Sequence, residues 1–323
     1  MCTVRNVHLP HVHLSRCGGM PHVPARRRWR PVANRHVSTA AGVAGGEASE
    51  GSELTALSPG SVALVRSALA PVLSEARVSA AMTSQAIHGH ALLVLQQEGL
   101  WSRVRGLDRY EGWIHAGYLV PSGHDAAGDA AALRQDSHPA ALPLLGEHVR
   151  LSLGGVAGEG GLPLRAVVRD AGVTAVSLLD ERERETRFPN TRSAVARTAE
   201  TLFAGVSYLW GGVTTWGADC SGFVQAIYAL HGLALPRDAW QQAAEGEAVS
   251  GGLARAEPGD LCFFSDRDDR RITHVGCMVD ACLMSHVALG RGGFALDRVD
   301  GAGDDYARQL ASRLLMVRRP TLP

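Results

Sequence analysis

The chain has 323 residues, a formal net charge of zero and 20% charged side chains. This neutral balance excludes partners that are bound mainly through charge, such as bulk nucleic acid, and the 46% hydrophobic content predicts a globular protein of two or three compact units. No apolar run approaches the roughly 20 residues that cross a bilayer, so no membrane span is expected.

The N-terminal segment differs from the rest of the chain. Its first 46 residues contain no Asp or Glu and are rich in arginine, and they lack the apolar centre of a secretory signal. Two explanations stay open, an organelle targeting sequence or a mis-assigned start, and the chain is otherwise expected to be soluble or secreted. Residues 1–60 are therefore assigned to a disordered or targeting segment and a linker.

A small β-barrel is predicted over residues 61–120. Short strands at 91–95, 101–105 and 110–114 are separated by turn residues, which is typical of such barrels.

The middle of the chain carries weaker signals. Residues 121–140 are rich in Gly, Ala and Asp and are expected to form a loop, and residues 140–180 form a possible second, degenerate barrel. Residues 180–187 alternate in charge and are expected to be an exposed connection.

The last unit is predicted to span residues 188–323. Helical periodicity over 191–203 and 221–230 is followed by strand patterns at 260–264 and 274–279. Helices followed by antiparallel strands indicate an α+β domain.

Cys220 stands where a glycine-rich loop runs into the second of these helices. Free N–H groups and the positive end of a helix lower the pKa of a thiol and can hold an oxyanion, so the position suits a nucleophile. Trp210 and Trp216 are expected to wall the pocket and exclude water. Taken alone, a cysteine at a helix start is more often structural than catalytic.

A nucleophilic thiol needs a base, and two histidines are candidates. His274 enters one predicted strand and His286 falls in the next, so antiparallel pairing would place the two rings side by side. One ring would take the thiol proton and the other would orient the first, as in a catalytic triad.

The remaining cysteines predict no metal or disulfide chemistry. The chain has six cysteines and no CxxC pair, which argues against a structural zinc site or a disulfide framework. Cys262 and Cys277 fall in apolar strand patterns and are expected to be buried thiols. No metal and no cofactor are predicted.

Several motifs together resemble the NlpC-type cell-wall peptidases. They are YLWGG at 208–212, DCSGFVQ at 219–225, LPRD at 235–238, PGDL at 258–261 and THVG at 273–276. The resemblance covers roughly residues 190 to 300. The barrel, with YEGWI at 110–114, resembles the bacterial SH3-like domains that precede such peptidases, and the subgroup of γ-D-glutamyl-L-diamino acid endopeptidases is the most similar.

This resemblance implies a papain-like fold in the last unit and specific residue roles. Cys220 would be the nucleophile, His274 the base and His286 the orienting third residue.

The resemblance also implies a substrate, a murein peptide cut between D-glutamate and a diamino acid. The protein is expected to be a monomer. The free amine of that peptide would be held by Asp219 and Ser221, with Tyr110 and Trp210 completing the substrate site. A free ammonium needs a carboxylate acceptor, although Asp219 is equally suited to cap the following helix. Ala239 stands where subgroup members often carry Ser, and His90 where a barrel Glu assists amine binding.

Two other hypotheses stay open. The chain could be a binding protein whose barrel grips cell wall or peptide beside an inactive terminal domain. It could also be an acyltransferase that uses the same cysteine and histidine. The complete set of triad candidates favours hydrolysis over the first, and the barrel favours peptides over lipids.

Overall fold

The computed structural model describes residues 57–122, 127–135 and 181–323. The predictions for residues 1–56 and for a second barrel at 140–180 lie outside the described residues. In the described ranges, every helix is too short or too polar to cross a bilayer.

The N-terminal part of the described chain is a seven-stranded antiparallel barrel-like sheet in the order β3-β2-β6-β5-β4-β1-β7. Its strands are β1 Val62–Val65, β2 Leu69–Leu73, β3 Met82–Ile87, β4 Ala91–Glu98, β5 Trp101–Arg105, β6 Glu111–His115 and β7 Leu119–Pro121. Side chains alternate between core and solvent, most clearly in β5 and β6, because successive residues of a strand point to opposite faces. The inward-facing residues, among them Val94, Val104 and Ile114, form one apolar cluster.

Two helices occupy stretches that the sequence predicts to be irregular. Residues Ala127–Arg134 are helical, and Leu133 is fully buried against β1 and β4, so the predicted loop at 121–140 is wrong for this part. Residues Glu181–Arg187 are also helical, where an exposed connection is predicted. Glu and Arg are good helix formers, and alternating charge does not reveal that preference.

The C-terminal part is built on a six-stranded antiparallel sheet in the order β10-β15-β11-β12-β13-β14. These strands are β10 Glu247–Ala248, β11 Leu261–Phe264, β12 His274–Met278, β13 Leu283–Ala288, β14 Gly293–Arg298 and β15 Leu314–Arg319. A short hairpin, β8 Val213–Thr214 with β9 Gly217–Ala218, precedes the sheet. The helices of this part are Arg192–Thr201, Cys220–Leu230, Ala239–Gln242 and Asp305–Ser312. The expected α+β class is confirmed.

The Cys220 helix, Cys220–Leu230, is the centre of this part. All eleven of its residues are buried. Its apolar side chains share one core cluster with Leu261, Phe263 and Val275 of the sheet. This packing fixes where the first residue of the helix lies relative to the start of β12.

The barrel and the C-terminal part are joined by buried or half-buried polar contacts. The Val213 N–H donates to Gln85 Oε1 at 3.1 Å, and Gln225 Nε2 donates to Asp108 Oδ2 at 3.1 Å. A third contact comes from Arg237, whose Nε donates to Ser84 Oγ at 3.2 Å. The barrel thus lies directly against the loop and helix that carry Cys220.

Candidate active site

Cys220 occupies the first position of its helix, directly after the N-cap residue Asp219. Its N–H has no acceptor within the helix, because the first N–H groups of a helix lack intrahelical partners. The thiol residue is 9% exposed, so it lies at the edge of the core and is not sealed inside it.

Close backbone packing makes this geometry depend on glycine. A Cβ built on Gly222 would lie 2.1 Å from the carbonyl oxygen of Gly212, and a Cβ on Gly212 would lie 2.3 Å from the carbonyl oxygen of Gly217. The glycine-rich loop and the helix start therefore touch backbone to backbone, and no larger residue fits at these two positions.

The electrostatics of Cys220 differ from the sequence-based expectation. Burial, followed by the nearby Asp219 carboxylate, raises the pKa of the thiol to about 12, while backbone hydrogen bonds from Val275 and Ser221 and the charge of Arg237 act in the opposite direction. The prediction of a lowered thiol pKa is therefore wrong for the free protein, because the helix-start effect is outweighed by desolvation. To act as a nucleophile, this thiol would have to lose its proton.

The candidate base is held beside the thiol by strand β12. Val275 hydrogen bonds to the Cys220 sulfur through its backbone, so the sulfur lies at the start of β12, next to His274. Burial, helped by the neighbouring His286, lowers the pKa of His274 to about 3. A neutral ring can accept a proton, whereas an imidazolium cannot.

The two candidate histidines are in contact. His274 Nε2 lies 2.7 Å from His286 Nδ1, and the ring centroids are 5.0 Å apart. The pairing of β12 with β13 brings them together, as the sequence predicts. Since Nε2 of His274 faces His286, Nδ1 is the nitrogen that remains for the thiol.

A carboxylate that the sequence analysis missed lies behind His286. Asp297 Oδ2 lies 2.9 Å from His286 Nε2, and Arg291 contacts both oxygens of Asp297, at 2.9 and 2.5 Å. Burial alone would raise the pKa of Asp297, but the hydrogen bonds with His286 and Arg291 outweigh it and hold the pKa below its usual value. The hairpin of β13 and β14 pairs His286 with Ala295, which puts Asp297 on the same face two residues further on.

The carboxylate of Asp219 is fully engaged in hydrogen bonds with neighbouring protein groups. Its carboxylate accepts hydrogen bonds from the N–H groups of Gly211 and Gly222, from the Ser221 hydroxyl, and from both terminal nitrogens of Arg237. Arg237, which the sequence analysis did not single out, is 2% exposed. The geometry favours the helix-cap role of Asp219 over direct capture of a substrate ammonium.

Ser221 and Tyr110 lie in the same cluster. Ser221 Oγ accepts from Arg237 Nη1 at 2.8 Å. Tyr110 is half-buried, and burial raises the pKa of its phenol, with Asp238 among the nearby charges. Asp238 is also half-buried and does not cap its own helix, and burial raises its pKa despite Arg237. Asp238 is the carboxylate of this cluster that does not bind Arg237 directly, and its side chain hydrogen bonds with Trp240.

Tyr208 is a further residue that sequence analysis missed. Burial and then the neighbouring Cys220 raise the pKa of its phenol far above the usual value, so the hydroxyl stays protonated close to the thiol. A phenol of this kind can donate to a developing oxyanion. The sequence could have indicated Tyr208, because it lies in the YLWGG motif twelve residues before Cys220.

The tryptophans expected to wall the pocket are accessible. Trp210 is 64% exposed and Trp216 is 37% exposed. They lie on the loop and hairpin that precede Cys220, so they can contact a ligand but do not seal a cavity.

The prediction of buried thiols at two strand positions is confirmed, since Cys262 and Cys277 are fully buried. Among the described cysteines, Cys220, Cys262, Cys277 and Cys282 form no disulfide. In the part of the chain that the structure describes, no group of His, Cys, Asp or Glu has an arrangement suited to a metal ion.

Comparison with known proteins identifies two regions. Residues 205–306 match the NlpC/P60 family, and residues 72–119 match the bacterial dipeptidyl-peptidase SH3 domain.

Curated relatives match shorter segments. A γ-D-glutamyl-L-lysine dipeptidyl-peptidase of Bacillus subtilis is 42% identical over 86 residues, which are 26% of this chain and 28% of that protein. A probable endopeptidase p60 of Listeria innocua is 36% identical over 99 residues, 31% of this chain and 20% of that protein. The chain thus covers less than a third of the length of either relative.

One solved structure supports the fold over most of the chain. An NlpC/P60 family protein of Bacillus cereus superposes with a TM-score of 0.57 at 19% sequence identity, covering 81% of this chain and all of that one. At this identity, the similarity concerns the fold alone.

Proposed function

We propose that this chain is a cysteine peptidase that cuts peptidoglycan stem peptides, because residues 205–306 match the NlpC/P60 family and residues 72–119 match the bacterial dipeptidyl-peptidase SH3 domain. The bond proposed is the one between γ-D-glutamate and the diamino acid. The observation that carries the proposal is the placement of Cys220 at a helix start beside a neutral His274 whose Nδ1 is left for the thiol.

In the first step of the proposed reaction, proton transfer accompanies nucleophilic attack. His274 Nδ1 takes the proton of the Cys220 thiol as the sulfur attacks the carbonyl carbon of the γ-glutamyl bond. The carbonyl oxygen becomes an oxyanion, which the Cys220 N–H and the Tyr208 hydroxyl stabilise. The raised pKa of the thiol means that this transfer occurs with the attack and not before it.

The second half of the reaction releases both products. The proton on His274 passes to the amine of the diamino acid, the C–N bond breaks, and a thioacyl-enzyme remains on Cys220. Water then attacks the thioester, with His274 as base, and frees the D-glutamyl carboxylate and the thiol. His286 holds His274 in place through both halves.

The substrate class is supported by the acceptor groups at the barrel side of the site. Asp219 and Ser221 shape this region and are themselves held by Arg237, while Tyr110 and Asp238 offer a hydroxyl and a carboxylate to a ligand. An ammonium is recognised by such acceptors. The proposed peptide therefore has a free N-terminal amine, with Trp210 contacting its apolar part.

The test is incubation with L-Ala-γ-D-Glu-diaminopimelate and with the corresponding L-lysine peptide. We expect wild type to release the free diamino acid, Cys220→Ala to release none, and the matched control Cys282→Ala to act like wild type. An N-acetylated peptide should be cut much more slowly, since its amine carries no charge.

Two results would contradict the proposal. Binding of the peptides by wild type and by Cys220→Ala, with no turnover by either, would indicate a binding protein. Release of the diamino acid by both proteins at equal rates would show that another group performs the chemistry.

A further inference from the structure

The buried chain of contacts behind the two histidines ends in an ion pair. His274, His286, Asp297 and Arg291 follow one another through hydrogen bonds of 2.5 to 2.9 Å. His286 is fully buried and Asp297 is 6% exposed, so water does not substitute for these partners. Every ring nitrogen in this series except Nδ1 of His274 has an assigned neighbour.

The ion pair of Asp297 with Arg291 determines which ring nitrogens of His286 and His274 carry a hydrogen. Asp297 faces the Arg291 guanidinium with both oxygens, so it is ionised and can only accept hydrogen bonds. His286 Nε2 must therefore carry a hydrogen. In the neutral form of His286, which has one N–H, Nδ1 is then bare and able to accept.

The same constraint passes to the next ring. Because Nδ1 of His286 accepts, Nε2 of His274 must donate. The one hydrogen of the neutral His274 ring therefore lies on Nε2. Nδ1 of His274 is then bare. A base with its lone pair at this nitrogen is what the transfer from Cys220 requires.

We propose that Asp297, clamped by Arg291, is a positioning residue that sets the tautomers of His286 and His274 in series and so keeps the proton-accepting nitrogen directed at Cys220. The role of these tautomers in catalysis rests on the proposed function. Asp297 acts through the two rings and does not touch substrate.

Arg291 is itself held from two further sides. Both of its terminal nitrogens contact Asp304, at 2.7 and 2.8 Å, and its guanidinium carbon lies 4.3 Å from the centre of the Tyr306 ring. A guanidinium fixed in this way presents its fork to Asp297 in one orientation, so the carboxylate cannot rotate away from His286.

Asp297→Asn is the direct test, because the amide keeps the size of the carboxylate. An amide oxygen placed toward His286 would turn the NH2 group toward Arg291, and the reverse orientation would oppose the NH2 group to the His286 N–H. Neither orientation satisfies all donors, so the His286 tautomer is no longer imposed. Asp297→Glu retains the charge and is the conservative variant.

The primary readout is NMR of protein labelled with ¹⁵N in histidine, which separates protonated from bare ring nitrogens without any substrate. In wild type we expect His274 and His286 both to show a protonated Nε2 and a bare Nδ1. In Asp297→Asn we expect mixed tautomers, with partial restoration in Asp297→Glu. The control Asp300→Asn removes a nearby surface carboxylate that pairs with Arg298, and it should leave both rings unchanged.

Kinetics on the proposed peptide supply the second readout. Asp297→Asn should lower kcat about 100-fold with little change in KM, because the base and not the binding site is impaired. Should this variant not fold, Arg291→Gln releases the same carboxylate and should shift the tautomers in the same direction.

Unchanged ring-nitrogen signals in folded Asp297→Asn or Arg291→Gln would overturn the inference. If wild type does not hydrolyse the peptides while the tautomers behave as expected, the proposed function is refuted. The inference that Asp297 sets the tautomers of His286 and His274 would still hold.

Discussion

His274 Nε2 lies 2.7 Å from His286 Nδ1, and in the proposed mechanism this contact leaves Nδ1 of His274 for the thiol. The ring that contacts His286 through Nε2 has only Nδ1 left for Cys220. Burial raises the pKa of the Cys220 thiol and lowers the pKa of His274, so these two groups are expected to be a thiol and a neutral imidazole and not an ion pair. The first prediction follows from this state.

Alkylation of Cys220 by iodoacetamide should be slow at neutral pH and should rise as pH increases. A raised thiol pKa means that little thiolate exists near pH 7 and that more forms as pH approaches the pKa. The measurement is the alkylation rate of Cys220 by mass spectrometry as a function of pH. His274→Gln should slow the reaction at neutral pH, since the base is lost. A rate that is high and constant from pH 6 to 8 would show a preformed thiolate.

Tyr208→Phe should lower kcat by about 10- to 100-fold while leaving KM near the wild-type value. The change removes one hydroxyl and keeps the ring, so the effect reports a donor that acts on the oxyanion. Steady-state kinetics on the γ-glutamyl peptide measure it, and Tyr118→Phe in the barrel serves as the matched control. Equal kcat values for Tyr208→Phe and wild type would remove Tyr208 from the proposed mechanism.

Arg237→Leu should destabilise the protein by about 3 kcal/mol, because it leaves the Asp219 carboxylate buried without its cation. The two side chains of this pair are 1% and 9% exposed. Urea unfolding measures the change. The double variant Arg237→Leu with Asp219→Asn should lose less stability than the sum of the single variants. Strict additivity would mean that the two groups do not depend on each other.

Gly222→Ala should be destabilising even though alanine is the better helix former. At an ordinary helix position this change stabilises by roughly 0.5–1 kcal/mol, whereas here the added methyl would meet the carbonyl oxygen of Gly212 at 2.1 Å. Thermal unfolding measures the sign directly. A higher melting temperature for Gly222→Ala would show that the loop and the helix are further apart than described.

Local patterns were sufficient to predict the helix at Cys220 and the strands at His274 and His286. Apolar periodicity over 221–230 and strand patterns around the histidines are properties of neighbouring residues. The contact of the two rings followed from one assumption, that consecutive strands pair antiparallel.

Contacts set by register or by distant segments were not predictable in this way. Asp297 reaches His286 because β13 and β14 pair with no shift through a turn that ends at Gly292, where φ is 73°. Arg237 reaches Ser84 across 153 residues of sequence. The prediction of a lowered thiol pKa was wrong for a third reason. The effect of the helix start is local, whereas the burial that raises the pKa depends on the whole core.

The polar contacts between the barrel and the C-terminal part constrain which other barrel could replace this one. Arg237 uses one guanidinium for Asp219 next to the nucleophile and for Ser84 in the barrel, and Gln225 of the same helix reaches Asp108. A foreign barrel fused at this place would need counterparts of Ser84 and Asp108 to satisfy those donors. Replacing Ser84 or Asp108 would thus remove an acceptor from Arg237 or Gln225, two residues that lie beside Cys220.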